Sequence, residues 1–268
     1  MKISTIFAII VCTVLPISCY FIVKNYTATH VKMPKKYFYD SVIEDTVDGK
    51  KHTDTVWHKV KNLRMVNQYG DTVSMDSLRG KVVLVNFFFT HCPSVCPAIM
   101  ANLQKVQATI VKDSDIHIVS ITMDPKRDTV KALRAYANKY DIKHDNWWLC
   151  RLVDDTVATV IQNEFKGNYK LDSTIDFIHT EYVYLLDKKR IIRGKDVPSE
   201  VTPENPDGTR FYNGRLEKDM AQIGYAAGLI KVETTVKGKP PFVLLIISMV
   251  LCGLVFFWMY RKRKKEDS

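Results

Sequence analysis

Residues 82–89 form an almost continuous apolar run, Val-Val-Leu-Val-Asn-Phe-Phe-Phe. A strand with apolar side chains at successive positions is buried on both faces, which is typical of parallel sheets covered by helices. Residues 116–123 and 147–153 are two further apolar runs of strand length. The three runs predict the central strands of one buried sheet, and they restrict the chain to folds that cover both faces of that sheet.

The segments between these runs have the spacing of helices. Apolar residues recur every three or four positions at Ile99, Leu103, Val106 and Ile110, at Val130, Leu133 and Ala137, and again from Leu216 to Ile230. Residues 182–186 and 191–193 predict a hairpin around a polar turn. Strands that alternate with helices predict an α/β fold with a central mixed sheet flanked by helices.

Two apolar segments lie outside this pattern. Residues 3–23 and 242–260 contain no charged side chain, and as helices both are long enough to cross a bilayer core of roughly 30 Å. We therefore expect five segments in chain order: an N-terminal membrane anchor (1–24), a polar tether (25–60), a globular domain (61–236), a second transmembrane helix (242–260) and a basic tail (261–268).

The distribution of charge predicts the orientation of the chain in the membrane. The sequence has 39 Lys and Arg residues against 29 Asp and Glu residues, a net charge of +10. Five consecutive basic residues, 261–265, follow the second apolar segment, and such clusters stay on the cytoplasmic side. The tail is then cytoplasmic, and the globular domain lies on the other side.

We interpret the membrane as a bacterial inner membrane with the domain in the periplasm, because no Arg- and Ser-rich transit segment precedes residues 3–23. Basic residues beside the membrane account for much of the net charge. Since aromatic and basic residues are not interleaved either, we expect no nucleic-acid partner.

The sequence Cys-Pro-Ser-Val-Cys-Pro joins the first apolar run to the first predicted helix. Cys92 and Cys96 are one helical turn apart, so their sulfur atoms can face the same way. Pro93 and Pro97 are tolerated only at or before a first helical turn, which places both cysteines at the helix N-terminus. There the helix dipole favours thiolates, which bind metals and attack disulfides, and an oxidising compartment also allows a Cys92–Cys96 disulfide. Cys150, at the end of a core strand, is expected to be buried and unpaired.

Soft thiolates select copper(I), and imidazole also suits copper. Four histidines of the predicted domain are available as a further ligand: His91, His117, His144 and His179. Spacing alone does not choose among them. Asp124, which ends the second core strand, is a candidate either for capping the next helix or for tuning the site electrostatically.

Three segments resemble the Sco/SenC family of cytochrome oxidase assembly proteins. They are residues 88–97, residues 120–129, with Asp-Pro-Lys-Arg-Asp-Thr, and Ile178-His179-Thr180. The resemblance implies a thioredoxin-like fold that binds a copper ion through Cys92, Cys96 and His179, with His179 in a loop opposite the helix N-terminus. Ile178 stands where many members have Asp.

The resemblance implies a metal carrier that delivers copper to the dinuclear copper centre of cytochrome c oxidase subunit II. The alternative is a thiol–disulfide oxidoreductase that acts on the cysteines of that subunit and is itself served by a thiol reductant. Three residues separate Cys92 from Cys96, whereas thioredoxin motifs have two. A peroxidase is disfavoured because Val85 and Phe89 occupy the positions of the Pro and Thr in peroxiredoxin motifs.

Overall fold

The computed structural model describes residues 17–18, 21, 33–47, 50–142, 144–154, 156–167, 169–172, 176–179, 181–196 and 210–236. Residues 33–232 form one compact unit, and a second unit comprises residues 1–32 and 233–268. Apart from residues 17, 18 and 21, the predicted membrane segments 3–23 and 242–260 and the tail 261–268 lie outside the described residues. Among the described helices, none combines the length and apolarity needed to cross a membrane.

The described elements follow one another in chain order. The strands are β1 (Lys35–Lys36), β2 (Tyr39–Val47), β3 (Lys50–Trp57), β4 (Arg64–Asn67), β5 (Thr72–Ser74), β6 (Val82–Phe88), β7 (Ile116–Thr122), β8 (Trp147–Leu152), β9 (Tyr169–Asp172), β10 (Asp176–His179), β11 (Tyr182–Leu186), β12 (Ile192–Gly194) and β13 (Tyr212–Asn213). The α-helices are α1 (Val95–Ile110), α2 (Val130–Lys139), α3 (Val157–Thr159) and α4 (Glu217–Val236), and a π-helical turn, Val160–Glu164, continues α3.

The main sheet has the strand order β1-β12-β11-β6-β7-β8-β4-β5, with β13 paired to β11. Strands β6, β7 and β8 are parallel, and the other pairs are antiparallel. The parallel centre consists of the three apolar runs, which α1 and α2 connect. The predicted mixed sheet flanked by helices is therefore confirmed.

Strand β6 is covered on both faces, as its composition predicts. Each of its seven residues is buried, and successive side chains of a strand point to opposite faces. Phe87 packs edge-on against Phe165, just after the π-helical turn, with ring centroids 5.2 Å apart. Phe88, on the opposite face, lies 5.4 Å from the ring of Tyr136 in α2. The strand that leads to Cys92 is thus fixed from both sides.

Within residues 33–47 and 50–60, the described part of the expected polar tether, the structure contains three strands. Strand β1 extends the main sheet by pairing with β12, and β2 and β3 form an antiparallel hairpin. His58, just beyond the hairpin, contacts Asp40 of β2, with 2.8 Å between Nδ1 and Oδ1. The hairpin residues are mostly exposed. Because neither face is buried, the sequence lacks the apolar alternation by which strands are recognised.

Candidate metal centre

The segment between β6 and α1 holds Cys92 and Cys96 close together. The Cys92 amide donates to the carbonyl of Phe89 over 3.2 Å, which turns the chain as it leaves β6. The Cys96 amide then donates to the Sγ atom of Cys92 over 3.5 Å. The exposed fractions of Cys92 and Cys96 are 9% and 0%, so both thiols are largely shielded from solvent.

The position of the helix start explains this contact. Helix α1 begins at Val95, which places Cys96 and Pro97 in its first turn, where backbone amides lack helical partners. The sulfur of Cys92 accepts one of these amides and so takes the place of a capping side chain. A helix N-terminus stabilises negative charge, and here its Cys96 amide is directed at the Cys92 sulfur. The predicted junction between strand, cysteines and helix is confirmed.

The pKa of the Cys96 thiol corrects the expectation that the helix N-terminus lowers it. The hydrogen bond between the two thiols, together with burial, raises the pKa of Cys96. Two neighbouring buried thiolates would repel each other and lose their hydration, so ionisation of both is unfavourable. The pair therefore retains a proton, which a soft cation bound to both sulfurs would displace.

Cys150 is buried in β8, as expected. Burial raises the pKa of its thiol, as is typical of an inert core cysteine. None of the described cysteines, Cys92, Cys96 and Cys150, forms a disulfide.

A fully buried carboxylate, that of Asp128, contacts the chain just before Cys92. Asp128, which is 0% exposed, accepts hydrogen bonds from the backbone amide of Thr90 over 3.1 Å and from the Thr90 hydroxyl. It also accepts a hydrogen bond from the hydroxyl of Thr122 at the end of β7. Asp128 thus ties the residues before Cys92 to the neighbouring strand.

The role of Asp128 is not evident from the spacing of residues along the chain. The available signal was topological: β6 and β7 are adjacent parallel strands, so the segments that follow their carboxyl ends meet at one edge of the sheet. Thr90 follows β6, and Asp128 follows β7. The same edge is where ligands bind in open α/β sheets.

Asp124 lies at this edge but does not cap the next helix. Thr129 is the N-cap of α2, and its side chain accepts a hydrogen bond from the Ala132 amide. Asp124 instead forms an ion pair with Arg127 and accepts a hydrogen bond from the Arg127 amide over 3.3 Å. Its carboxylate therefore organises the turn between β7 and α2.

The structure places His179 at the end of β10, where the resemblance implied a loop. In the antiparallel β9–β10 pair, His179 lies opposite Tyr169. This pairing links segments that have no long apolar run, so the sequence pattern did not reveal it. Within the described ranges, no three His, Cys, Asp or Glu side chains are arranged to hold a metal ion. The structure therefore brings Cys92 and Cys96 together, whereas His179 as the third ligand stays a prediction.

The other histidines occupy different environments. His117 is buried in β7, with its ring 4.2 Å from that of Trp148. His144 begins a short 3-10 turn. His91 directly precedes Cys92, and its side chain is 60% exposed.

The SCO1/SenC family model matches residues 52–204 of this chain. The SCO1 protein homolog of Bacillus subtilis (strain 168) is 34% identical over 141 residues, which cover 52% of this chain and 73% of the relative. For a SCO2-like protein of Rickettsia typhi, at 28% identity, the matching stretch spans 63% of the relative's length, a little under two thirds.

The chain is also similar to solved structures. BsSco, which is described as a member of the Sco family of cytochrome c oxidase assembly proteins with a disulfide switch, is 26% identical, has a TM-score of 0.50, and covers 66% of this chain and 97% of its own. Bradyrhizobium japonicum ScoI with copper bound is 25% identical, with a TM-score of 0.46, and covers 63% of this chain and 99% of its own. The mixed α/β fold is thioredoxin-like, as expected. With the family model matched over more than half of its length, this chain belongs to the SCO1/SenC family.

Proposed function

We propose that this chain is a membrane-anchored copper chaperone that delivers copper to the dinuclear copper centre of cytochrome c oxidase subunit II. The observation that carries the proposal is the contact between Cys92 and Cys96 at the start of α1. Two adjacent thiols are soft donors of the kind that select copper(I) over harder cations. Family membership and the description of BsSco as an oxidase assembly protein support the same reading.

The chain's own residues would hold the cargo as follows. The Cys92 sulfur already receives the N–H of Cys96, and this bond would stabilise its charge as a ligand. Cys96 would lose its retained proton to solvent when the metal binds. His179 is the proposed third ligand; it follows from the Sco/SenC resemblance and completes a donor set of two sulfurs and one nitrogen.

The location belongs to the proposal as well. Residues 3–23 and 242–260 would anchor the chain in a bacterial inner membrane, with residues 61–236 in the periplasm and residues 261–268 in the cytoplasm. The absence of charged side chains from residues 3–23 and 242–260 and the basic cluster at 261–265 support this arrangement. A domain held at the bilayer surface would share that surface with a membrane-bound oxidase.

Copper transfer tests the function directly. The full-length chain, loaded with copper(I), is mixed with the copper-free soluble domain of an oxidase subunit II, and copper is measured in each protein after separation. We expect the parent and Cys150→Ala to deliver copper and Cys92→Ser to deliver none. Retention of all copper by the parent would contradict the proposal.

A second candidate function is thiol–disulfide exchange on the cysteines of subunit II. The contact between Cys92 and Cys96 favours it, because oxidation of the two thiols to a Cys92–Cys96 disulfide would release two electrons and two protons to a substrate disulfide. A thiol reductant would then restore the pair. Turnover of a subunit II disulfide by the copper-free chain with excess thiol would support this function, and absence of turnover would exclude it.

A further inference from the structure

The thiols of Cys92 and Cys96 are almost inaccessible, at 9% and 0% exposure. A metal ion that arrives from solvent or from a partner therefore meets other groups before it reaches the sulfurs. The side chains next to Cys92 in the chain are the groups that such an ion would contact first. Pro93 and Ser94 are exposed but offer no soft donor, whereas His91 offers an exposed imidazole.

The His91 ring is held by a directed chain of hydrogen bonds. The hydroxyl proton of Thr90 is donated to the buried carboxylate of Asp128. The Thr90 oxygen can then only accept from the Nδ1 atom of His91, which lies 3.0 Å away. Nδ1 is also 3.9 Å from Oδ1 of Asp128. In the neutral imidazole this arrangement places the proton on Nδ1 and leaves the lone pair on Nε2.

This arrangement is one that metal-binding histidines share. In such residues a carboxylate, directly or through another group, fixes one ring nitrogen as a donor and leaves the other basic and correctly oriented for the metal. Asp128 is suited to this role, because it is fully buried and itself anchored by Thr122. The anchoring gives an exposed side chain a defined tautomer and a restricted orientation.

We infer that His91 is a relay ligand: its Nε2 atom binds copper transiently as the ion passes between an outside donor or acceptor and the buried thiols, with Thr90 and Asp128 as positioning residues. The inference rests on the proposed copper function. It assigns His91 to the path of the metal, because its exposed imidazole directly precedes the buried Cys92. Ligand exchange then proceeds stepwise: each new bond to copper forms before an old one breaks, so no free copper ion is released.

The inference predicts a change in rate without a matching change in affinity. Full-length copper(I)-loaded protein is mixed with the chelator bicinchoninate, and the rate of copper removal and the equilibrium distribution are both measured. We expect His91→Ala to slow transfer on the order of tenfold and to leave the equilibrium nearly unchanged. His91→Met, which restores a soft donor, should recover most of the rate, and His52→Ala, at an exposed histidine of β3, should behave like the parent.

A second readout uses the copper-free chain. Imidazole nitrogen NMR should show the His91 proton on Nδ1, and Thr90→Val should shift the population towards the Nε2-protonated tautomer while the chain remains folded by circular dichroism. An Nε2-protonated ring in the parent would overturn the inference. So would parent-like transfer by His91→Ala, or a weaker affinity together with faster copper removal, which would make His91 a resident ligand. A parent that takes up no copper overturns the proposed function and the inference together, whereas the other results overturn the inference alone.

Discussion

The buried carboxylate of Asp128 accepts the backbone N–H of Thr90 across 3.1 Å, which joins the two segments that leave the parallel centre of the sheet. Hydrogen bonds to a charged, buried acceptor are worth more than neutral ones, typically about 1.5–3 kcal/mol each. The residues before Cys92 therefore owe part of their rigidity to a side chain 38 positions further along the chain.

Replacing Thr122 by Val should destabilise the chain by at least about 2 kcal/mol, because the side-chain volume is kept while two buried hydrogen bonds are lost. The Thr122 hydroxyl donates one of them to Asp128 and accepts the other from the Asp124 amide. Denaturant unfolding of the full-length chain measures the change. Thr109→Val is the matched control: its hydroxyl donates only to a carbonyl of its own helix, and a surface change of this kind should cost less than about 0.5 kcal/mol. Equal losses in the two variants would contradict the role of Asp128.

Gly194 is required by the close approach of its neighbours. A Cβ atom there would lie 2.7 Å from the carbonyl oxygen of Arg210 and 2.6 Å from a ring carbon of Tyr37. We expect Gly194→Ala to lower the free energy of unfolding by about 1–3 kcal/mol.

The matched control for that substitution is Gly228→Ala. Gly228 lies within α4, and apart from the backbone of its own helix no described heavy atom lies within 4 Å of a Cβ added there. The substitution should raise stability by about 0.5–1 kcal/mol, as expected for Ala in a helix. If the two variants change stability in the same direction, the packing around Gly194 is not as described.

Stability should fall at alkaline pH. Burial raises the pKa of the Cys150 thiol, whereas the same thiol in the unfolded chain ionises near pH 8.5. Below that pH both states hold the proton. Above it the unfolded state binds fewer protons than the folded one, so this thiol removes up to about 1.4 kcal/mol per pH unit until the folded pKa is reached.

Unfolding of the reduced, copper-free chain between neutral pH and pH 10 measures this dependence. Cys150→Ala loses packing at every pH. Above pH ~8.5, however, its free energy of unfolding should fall less steeply with pH, by up to about 1.4 kcal/mol per pH unit, the contribution of one proton. An unchanged slope would show that Cys150 does not contribute to the dependence.

His179→Ala should weaken copper binding, because a thiol pair without the imidazole has one donor fewer. We expect a loss on the order of tenfold or more in copper affinity, measured by competition with a chelator, with His52→Ala as the control for removal of a histidine. Parent-like affinity in His179→Ala would exclude His179 as a ligand and would leave Cys92 and Cys96 as the basis of the site.

Local sequence signals were sufficient for the centre of the fold. Strand β6 and the start of α1 follow from an apolar run, two prolines and helical spacing, all within about 30 consecutive residues. The positions of Cys92 and Cys96 could therefore be predicted, since they depend only on that junction.

Features that depend on distant pairing could not be predicted in this way. Strand β1 joins the sheet because Lys35 lies opposite Gly194, and the place of His179 depends on the pairing of β9 with β10. The link between Thr90 and Asp128 likewise requires β6 and β7 to be neighbours. The raised pKa of Cys96 depends on its depth and on the contact with Cys92, which the spacing of the two cysteines does not reveal.

Copper binding by the reduced full-length chain is the most direct test of the central claim. Titration with copper(I) in the presence of a competing chelator should show tight uptake by the parent and by Cys150→Ala, and a loss of affinity of at least about a hundredfold in Cys92→Ser and in Cys96→Ser. Undiminished binding by both single-serine variants, or failure of the parent to compete for copper, would contradict the assignment of Cys92 and Cys96 as the metal centre.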